Sequence, residues 1–132
     1  MTSTAPEGKK LSVSFEFFPP KPGDTEDAFW NTLKRLETTA PKFVSVTYGA
    51  GGTTRDRTLN TVRRICNETK LKPAAHLTCV GASKEEVNAV VRENWEAGVR
   101  HILALRGDPP GGVGKRFEPH PQGYKNAADL VR

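Results

Sequence analysis

Sulfur and long apolar runs are both scarce in this sequence. Its two cysteines, Cys66 and Cys79, are too few for the disulfide framework of a small secreted domain, so free thiols in a reducing compartment are expected. No apolar run approaches the roughly 20 residues of a membrane-spanning helix, which excludes a membrane role on this reading. Residues 1–10 lack the apolar segment of a signal peptide and read as a flexible tail, making a cytoplasmic location the expectation. Without a secretory signal, Asn67-Glu68-Thr69 is a chance match to the glycosylation pattern. Aromatics make up only 8% of the chain and do not interleave with the basic residues as a base-stacking surface requires. The net charge of +5 is instead scattered in ones and twos among Asp56, Glu68, Glu85 and Glu86, so no nucleic-acid partner is expected. Cys79 has neither a Cys-x-x-Cys partner nor metal-ligand spacing, and no metal site is expected.

The 132 residues that remain to be explained are 36% hydrophobic and 27% charged, the balance of one globular domain. A chain of this size buries about two-thirds of its unfolded surface, enough for a core of its own. Four stretches rich in β-branched and aromatic residues, 11–17, 43–47, 74–80 and 101–105, begin about 30 residues apart and predict strands. The first three are each followed by a segment of helical period at 26–39, 57–69 and 84–97, with Phe29, Leu33 and Leu36, then Leu59, Val62 and Ile65, then Val87, Val90 and Val91 on the apolar faces. Asp24 with Thr25, Thr53 with Thr54, and Ser83 with Glu86 supply start signals, and Pro41, Pro73 and Gly98 stop signals.

Helical crossovers between successive strands impose parallel pairing, so the fold class is α/β with a parallel sheet whose strand order stays open. Residues 106–123, crowded with proline and glycine, predict a long loop, and a fourth helix is expected from about Asn126. The chain stops at Arg132 with no following strand. Residues 11–132 therefore look like the front of a larger, truncated α/β domain.

Parallel α/β folds carry their functional groups at the carboxyl ends of the strands. The candidates are thus Glu16 within Ser14-Phe15-Glu16-Phe17-Phe18-Pro19-Pro20; Thr47-Tyr48-Gly49-Ala50-Gly51-Gly52; His76, Thr78 and Cys79; and Arg106-Gly107-Asp108. Glu16, flanked by Phe15, Phe17 and Phe18, is expected to be desolvated, which would raise its affinity for a proton toward the range of a general acid. A lone strand histidine such as His76 is more often a satisfied core residue. Residues 107–115 fail the P-loop pattern, because Pro109 and Arg116 stand where glycine and Ser or Thr are required. The amides of residues 49–52 could cradle an anion but lack dinucleotide-fingerprint spacing.

Five segments together resemble the 5,10-methylenetetrahydrofolate reductase family: Ser14-Phe15-Glu16-Phe17-Phe18-Pro19-Pro20-Lys21, Val44-Ser45-Val46-Thr47-Tyr48-Gly49-Ala50, Arg55-Asp56-Arg57-Thr58, His76-Leu77-Thr78-Cys79 and Leu103-Ala104-Leu105-Arg106-Gly107-Asp108. The resemblance implies the first half of a TIM (β/α)8 barrel, since a complete one takes about 250 residues. It further implies FAD as cofactor, NADH or NADPH as reductant, a folate substrate and a homo-oligomer in the complete enzyme. On the family pattern Glu16 matches the general acid that helps open the folate's methylene bridge, and Asp108 the carboxylate near flavin and pterin. Thr47 matches a position at the flavin, facing its nicotinamide or folate side, while Tyr48, Ala50, His76, Arg106, Gly107, Asp108 and Ala127 match flavin contacts. Two other readings are an inactive half-barrel serving as a binding or assembly module, and another FAD-linked barrel oxidoreductase of the proline dehydrogenase kind, which Glu16 and Asp108 disfavour.

Overall fold

In the computed structural model, which describes residues 8, 10–49 and 54–132, the four predicted strands and four predicted helices all form. Strands β1 (Ser14–Phe17), β2 (Phe43–Val46), β3 (Pro73–Thr78) and β4 (His101–Leu105) alternate with helices α1 (Asp24–Glu37), α2 (Arg55–Glu68), α3 (Lys84–Glu96) and α4 (Ala127–Val131). The strands are parallel and lie in chain order, β1-β2-β3-β4. A doubly wound sheet reverses its order at a switch point. Here each helical crossover adds a strand to the same edge, and α1, α2 and α3 pack on one face of the sheet. This is the arrangement of the first half of a TIM barrel.

Strand alternation divides the residues between two faces. On the helix side, Val44, Val46 and Ala75 join Trp30 and Leu33 of α1 and Val62 and Ile65 of α2 in one core, against which Phe15 and Phe17 pack. Leu77 and Cys79 form a second cluster with Val87 and Val90 of α3. The concave face carries the other set, with Glu16, Ser45, Ala74 and His101 aligned in register across all four strands. β3, flanked by strands on both sides and backed by helices, is buried along its whole length.

The helix starts depart from expectation in instructive ways. α1 begins at Asp24, not residue 26, because Gly23, at φ 107°, takes the cap position and leaves Asp24 and Thr25 inside the first turn. Its acidic first turn and basic last turn oppose the helix dipole favourably. Thr54 caps α2 without bonding the helix amides, since its hydroxyl accepts instead from the N–H of Gly49 at 2.5 Å. Only Ser83 and Glu86 form the expected reciprocal capping box. Pro73 is a strand residue rather than a helix stop, α2 having ended at Glu68. Strand β1 is shorter than the 11–17 stretch because its ladder begins where Ser14 meets Phe43. The expected tail, residues 1–10, lies outside the described residues apart from Gly8 and Lys10.

Residues 106–123 form no helix or strand, as expected, but they return to a fixed place. The Lys84 N–H donates to the carbonyl of Gln122 at 2.9 Å, and the Tyr124 hydroxyl lies 2.7 Å from Oδ1 of Asn88, docking the loop's end on the start of α3. Among the described residues no helix is long and apolar enough to cross a membrane.

Ile65 has no exposed surface and sits in the larger core. Ile65→Ala is expected to lower the unfolding free energy by about 2–5 kcal/mol through lost contacts and the cavity left behind. Urea denaturation followed by circular dichroism reads this as a lower midpoint at unchanged slope.

Candidate functional site at the carboxyl rim and concave face

Because the strands are parallel and in order, the segments that follow them emerge along one rim. Gly107 shows how closely that rim is packed. It turns at φ 85°, and a Cβ there would stand 2.5 Å from Cγ1 of Val80 and 3.0 Å from Cβ of Thr78. Only glycine lets the chain leaving β4 pass this close to the end of β3, which sets the start of the turn into exposed Asp108. Arg106 stacks its guanidinium 4.4 Å above the Phe117 ring, so the long loop holds the cation at the strand end.

At the end of β2 the backbone is tied down by threonines. The buried Thr58 hydroxyl donates to the carbonyl of Thr47 at 2.8 Å, and Thr54 and Thr58 oxygens stand 3.4 Å apart. Half-buried Tyr48 packs against the Leu77 and Val87 cluster, and burial raises its phenol above the ordinary value while the nearby Arg55 charge opposes that shift. Arg55 is itself held by Glu93 of α3 at 2.7 Å. Ala50 lies outside the described residues, as do Gly51, Gly52 and Thr53.

Glu16 and His76 meet on the concave face. Strand spacing of about 4.8 Å puts β1 and β3 roughly 9.5 Å apart with β2 between them. Oε2 of Glu16 nevertheless lies 3.3 Å from Nε2 of His76, having crossed over Ser45, whose hydroxyl donates to the same oxygen at 3.4 Å. The His76 contact is at ion-pair distance but lacks hydrogen-bond geometry, and this buried nitrogen has no hydrogen-bond partner among the described residues. Burial pushes His76 below the ordinary imidazole value, and the Glu16 carboxylate opposes that only in part. It is a buried, neutral imidazole, not the satisfied core histidine expected.

The structure corrects the reason for singling out Glu16. Phe15 and Phe17 point to the opposite face, into the helix-side core, and Phe18 is 82% exposed, so the three phenylalanines do not desolvate the carboxylate. The Glu16 side chain is 60% exposed. Adjacent residues of a strand face opposite ways, so sequence neighbours are the wrong neighbours to consult. Sequence reasoning misses Ser45 as a contributor, although a hydroxyl between Val44 and Val46 on a strand with apolar alternation is a usable signal.

The candidates do not all share one cavity. Glu16 and Ser45 line a concave pocket of about 530 Å³ with Phe43, Ala74 and Leu103, while Thr47 and Tyr48 line another of about 710 Å³ with Phe18, Thr54 and Arg57. Tyr48 also reaches a smaller one shared with Thr78 and Arg55. Ala127 opens the short helix α4, whose N-cap Asn126 accepts from the Asp129 N–H at 2.9 Å. Cys79 is buried, with its thiol pushed up by burial, and acts as a packing residue. Among the described residues no group of three or more His, Cys, Asp or Glu side chains is placed to hold a metal ion.

The family model described as methylenetetrahydrofolate reductase matches residues 2–132. The chain belongs to the methylenetetrahydrofolate reductase family. It is 48% identical over 122 residues to proteins named 5,10-methylenetetrahydrofolate reductase from Salmonella typhimurium and Escherichia coli, a match covering 92% of this chain and 39% of each relative. Methylenetetrahydrofolate reductase 1 of Schizosaccharomyces pombe is 38% identical over 125 residues, 94% of this chain and 20% of that protein. The chain thus spans about two-fifths of the length of the bacterial relatives it matches.

The buried, neutral His76 has a consequence for stability. Because folding depresses its proton affinity, the unfolded chain binds a proton more readily than the folded one once the pH drops below the ordinary value of about 6.5. The folded state is therefore expected to lose stability as pH falls through that value toward the depressed one, and to keep it in full above. Melting temperatures from pH 8 to pH 5 should fall more steeply for the native chain than for His76→Gln. Parallel curves would show that His76 does not bury a neutral ring.

Proposed function

We propose that this chain forms part of the catalytic barrel of a reductase that converts 5,10-methylenetetrahydrofolate to 5-methyltetrahydrofolate, with FAD as cofactor and NADH or NADPH as reductant. The observation that carries this reading is the exposed Glu16 carboxyl on the concave face, 3.3 Å from a buried imidazole and beneath the rim that carries Arg106 and Asp108. Family membership and the names of the relatives support it.

The residues present fit a flavin dinucleotide. Arg106 offers a cation for a phosphate, Thr47 and Tyr48 offer hydroxyls at the next strand ends, and His76 an imidazole below them. Thr47, Tyr48, His76, Arg106, Gly107, Asp108 and Ala127, with Ala50, are the residues proposed to hold it. FAD, when bound, supplies hydride acceptance from the nicotinamide nucleotide and hydride donation to the folate.

The chain's own residues do the rest. Glu16 gives a proton to the folate nitrogen as the bond from that nitrogen to the methylene carbon breaks, which leaves an electrophilic carbon ready for hydride. Its exposure lets solvent restore the proton between turnovers. Asp108, with Thr47, orients the pterin by accepting hydrogen bonds from its ring. Residues 11–132 are on this reading the catalytic portion, and the complete enzyme is a homo-oligomer.

The test needs a protein that contains these 132 residues and spans the relatives' full length. In it, Glu16→Gln is expected to slow the folate half-reaction by about 10²–10⁴-fold, the range for a lost general acid, and to leave reduction by the nicotinamide within a few-fold. Stopped-flow absorbance separates the two half-reactions. Equal slowing of both would make the carboxylate structural and remove the basis of the proposal.

A further inference from the structure

The two oxygens of the Glu16 carboxyl are not equivalent. Oε2 takes both close contacts, the Ser45 hydroxyl at 3.4 Å and Nε2 of His76 at 3.3 Å. Oε1 has no hydrogen-bond partner among the described residues. Resting on the reading of Glu16 as the proton donor, we propose that Ser45 is a positioning residue that holds Oε2 so that Oε1 carries the proton delivered to the folate.

The geometry gives Ser45 two properties that matter. It stands in register with Glu16 on the neighbouring strand, so its side chain lies directly under the path that the carboxyl takes from β1 toward β3. A larger side chain there would block that path, whereas serine leaves it open. Its hydroxyl also supplies a donor along the way. The residue is 6% exposed on a strand whose flanking residues, Val44 and Val46, are fully buried in the opposite core, so the hydroxyl has little freedom to move away. His76, also 6% exposed, limits the carboxyl on the far side. The donor on one side and the ring on the other favour one orientation for the carboxyl of an otherwise exposed glutamate.

Proton transfer breaks the Oε1–H bond, forms an N–H bond on the folate and leaves the negative charge on the carboxylate. The Ser45 donor can remain on Oε2 throughout. Removing it frees the carboxyl to rotate, which lowers the rate of transfer without removing the acid.

The proposal is tested by Ser45→Ala and Ser45→Val in the protein of full length, each alone and combined with Glu16→Gln, by stopped-flow measurement of the folate half-reaction. Ser45→Ala keeps the path open and removes the donor. It is expected to slow the step at saturating folate by roughly 10-fold while folate affinity stays within about twofold, the scale of one hydrogen bond. Ser45→Val also blocks the path and should slow it further. In the Glu16→Gln background Ser45→Ala should add less than about twofold, because the two residues act through one proton transfer. If Ser45→Ala reacts at the native rate while Glu16→Gln is slow, Ser45 does not position the acid. The positioning role is equally overturned if the two slowings multiply in the double variant, since that marks a general structural effect. If Glu16→Gln itself is not slow, it is the assignment of the acid that fails, and with it the role of Ser45.

Discussion

In-order parallel pairing of four strands is the constraint on which the other features of this molecule rest. Each strand is a neighbour of the next, so a residue on β1 and its register partners on β2, β3 and β4 form a row across the concave face. One such row runs from Glu16 through Ser45 to Ala74, and the next position of β3 on the same face holds His76. A slip of one residue in any pair would turn the strand's whole set of side chains to the other face. That slip is prevented from the helix side, where Val44, Val46 and Ala75 have no exposed surface and could not exchange places with Ser45 or Ala74 without placing a hydroxyl in the core and a valine on the concave face.

The same packing sets a carboxyl and an imidazole side by side on one concave face. His76 belongs to the most buried strand of the sheet, so the ring stays neutral, while Glu16 belongs to the first strand and keeps access to solvent. Burial and exposure are thus distributed between two groups that touch. Keeping the buried ring neutral avoids the cost of burying a charge on β3.

The rim is organised by different means. The Thr54 and Thr58 hydroxyls tie the backbone of Gly49 and Thr47 at the end of β2, a glycine allows close passage after β4, and the Arg106 and Phe117 stack, with the contacts from Gln122 and Tyr124, brings a long proline- and glycine-rich loop back onto α3. Among the described residues, loop conformation is imposed by the ends of the regular elements, which gives the strand-end segments a defined place without secondary structure of their own.

The repeat of strand and helix, the apolar faces of α1 to α3, the span of β4 and the capping box at Ser83 were legible in the residues alone, because they depend on periodicity and on contacts within four positions of the chain. The family was legible for a related reason, in that its motifs are continuous segments at strand ends. Periodicity left strand order open, since parallel pairing joins residues about 30 apart and leaves no local trace, and only the resemblance to a barrel family implied it. The company that Glu16 keeps was not legible. Its sequence neighbours Phe15 and Phe17 are across the sheet, and its true neighbours, Ser45 and His76, are 29 and 60 positions away. Which oxygen of that carboxyl is held is a property of the pairing register, and only the assembled sheet could decide it.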